Sequence, residues 1–366
     1  METKLKYVIT IPSVDIPGYI AINDLVLIGS KDKRYKKIKS ENKVLSKYLN
    51  SFRTSFNKKV HPSIIVRDES LPKVGAVHLS SFRNAIAVSS VIYSRVQSCL
   101  SNTPRGFYCT DLFDFCTVSV SSNGTDLSIK NAFELGIDSV DRFSGQTSPA
   151  VVYTDNIHPL FDEELMLALL NLIEAKYKSK SDKEWRNRFI RSLEMAYYAL
   201  RAPFVHLGEK TDFGVPISLW VSAFEIIANP HVEKVGFKHV SSLIKAVPWK
   251  AKKLREKRYA PITSSFAKKR PEERTTLPVQ IYGRLYQTRH MYLHGNPIPK
   301  GRFEFLTRKN WGNLYFQIPA LYRCVLMYSL LRRNVPVPAR VRSEQWTYER
   351  ALSKRPEAEN DSAVSG

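Results

Sequence analysis

From Asp162 onward the chain repeats one pattern: long stretches with apolar residues three or four apart, divided by short polar breaks. Asp162–Lys178 begins with three acidic residues and ends in lysines, which matches the polarity of a helix. Lys183–Leu200 carries Trp185, Phe189, Leu193, Tyr197 and Leu200 on one side, and Pro216–Ala228 is apolar almost all round. Gln280–Pro297 and Leu314–Arg332 complete the series. None of these helices can bury its apolar stripe alone, so a helical bundle is the economical fold for this half.

The first half follows another rule. Leu5–Pro12 and Ser63–Arg67 are short and β-branched, and Gly18–Gly29 offers two apolar runs around Asn23-Asp24, the pattern of a hairpin. Lys31–Lys39 reads as a basic connection, Glu41–Phe56 as one amphipathic helix, and Ser80–Ser101 as a long helix. Gly106–Leu127 reads as aromatic-rich strands turning at Asn123-Gly124. The expected fold class is α+β, a mixed amino-terminal domain over residues 1–150 followed by an all-α bundle over residues 158–335. Residues 336–366 read as a basic, Pro-interrupted strap and a disordered polar tail.

Gln280–Pro297, QIYGRLYQTRHMYLHGNP, is the stretch richest in chemistry. Ile281, Leu285, Thr288 and Tyr292 recur on one face, while Arg284, Arg289, His290 and His294 crowd toward the other side and the carboxyl end. Gly295 and Pro297 then stop the helix. His290 and His294 are one turn apart, whereas Arg289 and His294 lie about 140° around an ideal helix. An imidazole moves protons near neutral pH and a guanidinium holds phosphate oxygens. Together they are sufficient for RNA transesterification, in which a 2′-hydroxyl loses a proton and a phosphorane gains charge. The helix C-terminus favours a protonated His294, suited to donate to the leaving oxygen.

Arg289-His290-Met291-Tyr292-Leu293-His294 resembles the R-x4-H motif of HEPN domains, helical modules that often act as metal-independent ribonucleases. The setting LYQTRHMYLHGNP is most similar to the ApeA-like branch of prokaryotic anti-phage defence. SLWVSAFEIIA (Ser218–Ala228) resembles that branch's earlier core helix with its glutamate, here Glu225. SSFRNAIAVSSVIYS and FYCTDLFDFCTVSV resemble the amino-terminal half, which would then be a specificity or sensing domain. The resemblance implies a cytoplasmic endoribonuclease with Arg289, His294, His290 and Glu225 at its site and no cofactor. It also implies RNA, transfer RNA included, as substrate, a homodimer with a composite active site, and a phage-derived trigger or regulatory partner.

Charge agrees with a polyanionic partner without demanding one. The net charge is +22, most of it after residue 150. Pro248–Arg274 is the most basic segment, with Lys250, Lys252, Lys253, Arg255, Lys257 and Arg258 followed by Lys268, Lys269 and Arg270. With Arg284 it forms the candidate RNA-binding set, and the segment is expected to be a flexible insertion; a plain solvated linker explains it almost as well.

Other chemistries have less support. Cys99, Cys109, Cys116 and Cys324 show neither a zinc spacing nor a disulfide framework, which fits a reducing compartment. Met1–Thr10 carries charges where a signal peptide needs an apolar core, and Leu165–Ile173 is too short to span a bilayer. Asp111, Asp114 and Asp126 sit among aromatics with no histidine beside them, so no metal is assigned there. His290 and His294 have zinc-compatible spacing, yet no third ligand is evident. Glu225, isolated in an apolar helix, requires a buried partner, for which Arg284 and Arg289 are the candidates. The rival to a ribonuclease is a silent HEPN module that binds RNA or a protein, its Arg and His serving as capping groups.

Overall fold

A computed structural model describes residues 7–22, 25–54, 56–67, 76–101, 109–120, 127–130, 151–152, 157–178, 183–201, 214–229, 235–257, 259, 274–297, 314–339, 341 and 343–353. The chain divides into two compact units. The first comprises Met1–Ser90, Tyr108–Phe161 and Leu169–Arg186, and the second Val91–Phe107, Asp162–Ala168 and Asn187–Gly366. The protein is α+β, an antiparallel sheet near the amino terminus followed by predominantly helical chain.

The sheet of the first unit has strands β1 (Tyr7–Ile11), β2 (Tyr19–Ile22), β3 (Leu25–Ile28), β5 (Ser63–Arg67), β6 (Cys116–Val120) and β7 (Leu127–Lys130). Their order is β2-β3-β5-β1-β6-β7, every neighbour antiparallel. β2 and β3 pair as a hairpin, Tyr19 opposite Ile28 and Ile22 opposite Leu25, as the two apolar runs predict. The Asn23-Asp24 and Asn123-Gly124 turns lie outside the described residues. β4 (Arg53–Thr54) and β8 (Val151–Val152) form a separate parallel pair.

Two sequence expectations in this unit are corrected. Lys31–Lys39 is not a basic loop but most of helix α1 (Lys33–Glu41). Asp32 caps it by accepting from the backbone N–H of Arg34 at 2.9 Å, while Tyr35 and Ile38, three apart, bury on the core side. Glu41–Phe56 is not one helix. Asn42 takes an extended conformation and its side chain accepts from Leu45 N–H at 2.9 Å, which starts a separate helix α2 (Lys43–Leu49). Tyr35, Ile38, Leu45, Leu49 and Phe52 join Ile28, Val60 and Ile64 in one buried cluster. The chain's basic surface residues had hidden a helix anchored by only two side chains.

Helix α3 (Ala76–Leu100) follows, then α4 (Glu163–Lys178), α5 (Glu184–Ala199), α6 (Gly214–Ala228), α7 (Phe237–Ala246), α8 (Lys252–Arg255), α9 (Leu277–Leu293), α10 (Leu314–Arg332) and α11 (Gln345–Ser353). In the second unit α9 packs against α6, α7, α8 and α10. Phe224 of α6 lies 5.3 Å from the ring of Tyr282 on α9 and 5.6 Å from Tyr322 on α10, and Trp220 lies 5.1 Å from Tyr322. Ser192 of α5 donates to the carbonyl of Ala223 at 2.8 Å and pairs with the Tyr322 hydroxyl at 2.9 Å, which ties α5 to the same core. No helix among the described residues is long and apolar enough to cross a membrane.

Charges are also buried in this unit. Asp162, fully buried, caps α4 through Leu165 N–H at 2.9 Å and accepts from Nε of Arg323 at 2.7 Å. Arg323 is 1% exposed, also reaches Glu164, and stacks over the Tyr348 ring at 4.6 Å. Helix α11 lies inside residues 336–366 and corrects the expectation of a strap and disordered tail over that part, where the fully buried Glu349 fixes it. Glu349 accepts from Lys250 N–H at 2.9 Å and from Ala251 N–H at 2.6 Å.

Candidate active site

Thr276 and Pro278 open α9, and Leu277 to Gly283 are all buried because neighbouring helices surround this half. The last turn leaves that cover. His294 is the C-cap just beyond it, at φ −96° and ψ 12°, with its N–H bonded to the carbonyl of His290 at 3.2 Å. Gly295 N–H returns to Tyr292 at 3.1 Å and Asn296 N–H to Met291 at 2.9 Å, while Gly295 sits at φ +67°. These crossed bonds are a Schellman closure, and the left-handed residue it needs is the glycine singled out in the sequence.

The closure fixes the two imidazoles. His290 and His294 are both exposed, with ring centroids 4.2 Å apart and planes inclined by 59°. The turn is also held from below by Tyr292. Its ring lies against the first residue of α6, where a Cβ on Gly214 would come within 2.0 Å of it. A glycine at the head of so apolar a helix is the signal in the sequence for this close approach.

Arg289 turns the other way. Its Nη1 donates to both carboxylate oxygens of Glu225 on α6, at 3.2 and 3.3 Å. Of the two candidate partners for Glu225, Arg289 is the one that meets it. The two side chains retain 26% and 16% exposure, so the pair is half-buried. Nε of Arg289 is buried and has no hydrogen-bond partner among the described residues. The hydroxyl of Tyr282, two turns earlier on the same face of α9 and fully buried, is likewise without a partner among the described residues. Burial and then the Glu225 charge hold Tyr282 far above its usual phenol range, so it stays protonated.

The Glu225 carboxyl is raised above its ordinary value, chiefly by burial, against which the charge and hydrogen bond of Arg289 act. A carboxyl raised by folding stabilises the native state below its unfolded value and loses that contribution as pH rises through the folded value. Arg289→Ala removes both opposing influences. The expected outcome is a Glu225 midpoint higher still, read by carboxyl 13C chemical shifts, and a stability that declines with rising pH across a wider window. An unchanged midpoint would show that Arg289 does not govern this carboxylate.

The basic segment is placed differently from expectation over its first part. Lys250–Lys257 is not a flexible insertion. Trp249 is buried and donates from Nε1 to the carbonyl of Ile244 at 3.0 Å, Leu254 is fully buried, and Glu349 holds the turn before α8. Lys250, Lys252, Lys253, Arg255 and Lys257 are all exposed, and Lys252 forms an i,i+4 pair with Glu256 at 3.8 Å. Arg284 is half-buried on α9. Arg258 and residues 260–273, including Phe266, Lys268, Lys269 and Arg270, lie outside the described residues.

The site therefore unites two pairs, Arg289 with Glu225 and His290 with His294, rather than one cluster of four. Among the described residues no group of three or more His, Cys, Asp or Glu side chains could hold a metal ion. Cys99, Cys109, Cys116 and Cys324 are not joined in disulfides. Asp114 instead pairs with Arg83 at 3.4 Å, and Asp126 lies outside the described residues. Comparison with protein-family models, with curated proteins and with solved structures finds no match for this chain.

Proposed function

We propose that this chain is a metal-independent endoribonuclease of the HEPN type, ApeA-like and acting in anti-phage or stress defence, with Arg289 and His294 at its centre. The observation that carries the reading is the end of α9, where two exposed imidazoles 4.2 Å apart follow an arginine anchored by a half-buried carboxylate. A bundle helix gains nothing in stability from exposing two histidines there. Proton transfer needs them exposed.

In this reading an imidazole removes the 2′-hydroxyl proton of RNA, and the oxygen attacks the adjacent phosphorus. Arg289, oriented by Glu225, meets the charge that develops on the phosphorane with the guanidinium nitrogens the carboxylate leaves open. The bond to the 5′-oxygen breaks as His294 delivers a proton, leaving a 2′,3′-cyclic phosphate and a 5′-hydroxyl. His290 is the second imidazole of the relay and Glu225 a positioning residue. The last turn of α9 is closed by its own hydrogen bonds, with Arg289 and His294 five residues apart and so about 140° around the helix. That favours a homodimer in which Arg289 of one chain meets His294 of its partner across a twofold axis.

Incubating the purified protein with total and transfer RNA, with and without chelator, tests this directly. Cleavage that survives the chelator and leaves 5′-hydroxyl ends supports the reading, and 5′-phosphate ends would point to a water nucleophile instead. The competing reading is a silent module that binds RNA or a protein partner, favoured by the engagement of Arg289 with Glu225. Binding without cleavage on any RNA would establish it.

The exposed cations before and along α8 are proposed to track the RNA backbone. Replacing Lys252, Lys253, Arg255 and Lys257 by Glu is expected to weaken RNA affinity and flatten its dependence on salt, because fewer counterions are released. An unchanged affinity and salt slope would place the RNA path elsewhere.

A further inference from the structure

Helix α11 presents one large aromatic side chain to solvent. Tyr348, Glu349, Ala351 and Leu352 are its buried residues, while Trp346 and Arg350 are exposed. Trp346 keeps 53% of its surface open. Four residues apart, Trp346 and Arg350 share one face of the helix. Burial of an aromatic ring is among the larger gains a chain can make, and here the fold forgoes it.

The surface beside this ring is basic and fixed in place. Gln345, next to Trp346, donates from Nε2 to the carbonyl of Pro248 at 3.1 Å. Glu349, next to Arg350, holds the backbone N–H groups of Lys250 and Ala251. Helix α11 is thereby seated on the turn that leads into α8, where Lys250, Lys252, Lys253, Arg255 and Lys257 are exposed. Among the described residues the Glu349 carboxylate accepts from main-chain donors and from Gln345, not from a lysine ammonium. Glu256 meets Lys252 at 3.8 Å, an exposed pair that water largely screens. The positive charge of this surface is therefore left for a partner.

One ring amid cations discriminates between polyanions. A bilayer surface calls for several apolar side chains, and among the described residues of α8 and α11 Trp346 is the large apolar one that is exposed. A nucleic-acid duplex offers phosphates to the cations but hides its base faces within the stack. An unpaired strand offers both, phosphates to lysine and arginine and a base face to the indole, and stacking accepts any base.

We infer that α8 and α11 together form a landing surface for single-stranded RNA. Trp346 stacks on one base, and Arg350 and the α8 cations hold the phosphates around it. Strand capture here presupposes the α8 cations as an RNA path, but not cleavage at α9. The test is fluorescence anisotropy titration of the full chain with labelled 2′-O-methyl RNA, which lacks the hydroxyl that transesterification uses and so stays whole. The probes, each of about 12 nucleotides, are an unstructured single strand, the same strand with its bases removed, and a blunt duplex.

The base-bearing single strand is expected to bind tightest. Trp346→Ala should weaken it by roughly tenfold, the usual cost of losing one stacked base, and leave its dependence on salt unchanged because no phosphate contact is lost. Affinity for the abasic strand should not change. Trp346→Phe keeps a ring and should restore most of the loss, with melting curves of all three proteins alike. Full affinity in Trp346→Ala, an equal loss on the abasic strand, tighter binding of the duplex, or no binding of the single strand would each overturn the proposal. Unmodified RNA that binds through Trp346 yet stays uncut would keep this surface and remove the nuclease reading, and cleavage indifferent to Trp346 would do the reverse.

Discussion

His294→Ala is expected to slow RNA cleavage by roughly two orders of magnitude or more, the usual loss when a positioned acid or base is removed. His294 is exposed at the C-cap and contacts the His290 ring, so the variant should fold as the parent does. Arg289→Ala is expected to cost a similar factor through lost stabilisation of the phosphorane. Its effect on folding is a separate matter, because Glu225 then keeps a half-buried carboxylate without its counter-charge. Initial rates on a labelled RNA, with melting curves on the same preparations, separate the two effects. Full activity in either variant would remove that residue from the mechanism.

Mixing the two inactive proteins adds the oligomeric test. After subunit exchange, a composite dimer holds one intact site and one doubly broken site, so part of the activity should return. A monomer stays inactive in the mixture, and light scattering that shows only a 41.9 kDa species during turnover would rule the dimer out.

The largest expected loss of stability lies away from this site, at Arg323. Arg323→Met leaves Asp162 fully buried with no guanidinium facing it. Removing one partner of a buried ion pair costs about 3–5 kcal/mol, most of it from the charge left behind. Asp162→Asn should be milder than Asp162→Ala, since the amide oxygen can still cap α4 through Leu165 N–H. Chemical denaturation should show the order Arg323→Met worst, then Asp162→Ala, then Asp162→Asn. A loss near zero for Arg323→Met would mean that the network contributes little beyond its hydrophobic replacement.

What the sequence determined by itself was carried by periodicity and by residues with one strong conformational preference. Apolar spacing located α4, α5, α6 and α10 and strand β5, because burial on one face repeats at the period of the element. Gly295 marked the end of α9, since its φ of +67° is open to few other residues. The need for a partner at Glu225 was also legible, as a carboxylate inside an apolar helix is unfavourable alone.

Only the tertiary structure chose among what those rules left open. Arg284 and Arg289 were equivalent candidates in the sequence, and the packing of α6 on α9 brought Arg289 to Glu225. Asp32 and Asn42 decided α1 and α2 through caps, which depend on which N–H a short side chain reaches and leave no periodic trace. Nothing in the local sequence singles out Glu349 or Arg323, yet both are buried among groups distant in sequence. Burial of a charge depends on partners that come from elsewhere in the chain. Local sequence carries no record of that distance, and so α11, the anchoring of α8 and the paired arrangement of the site became visible only once the chain was folded.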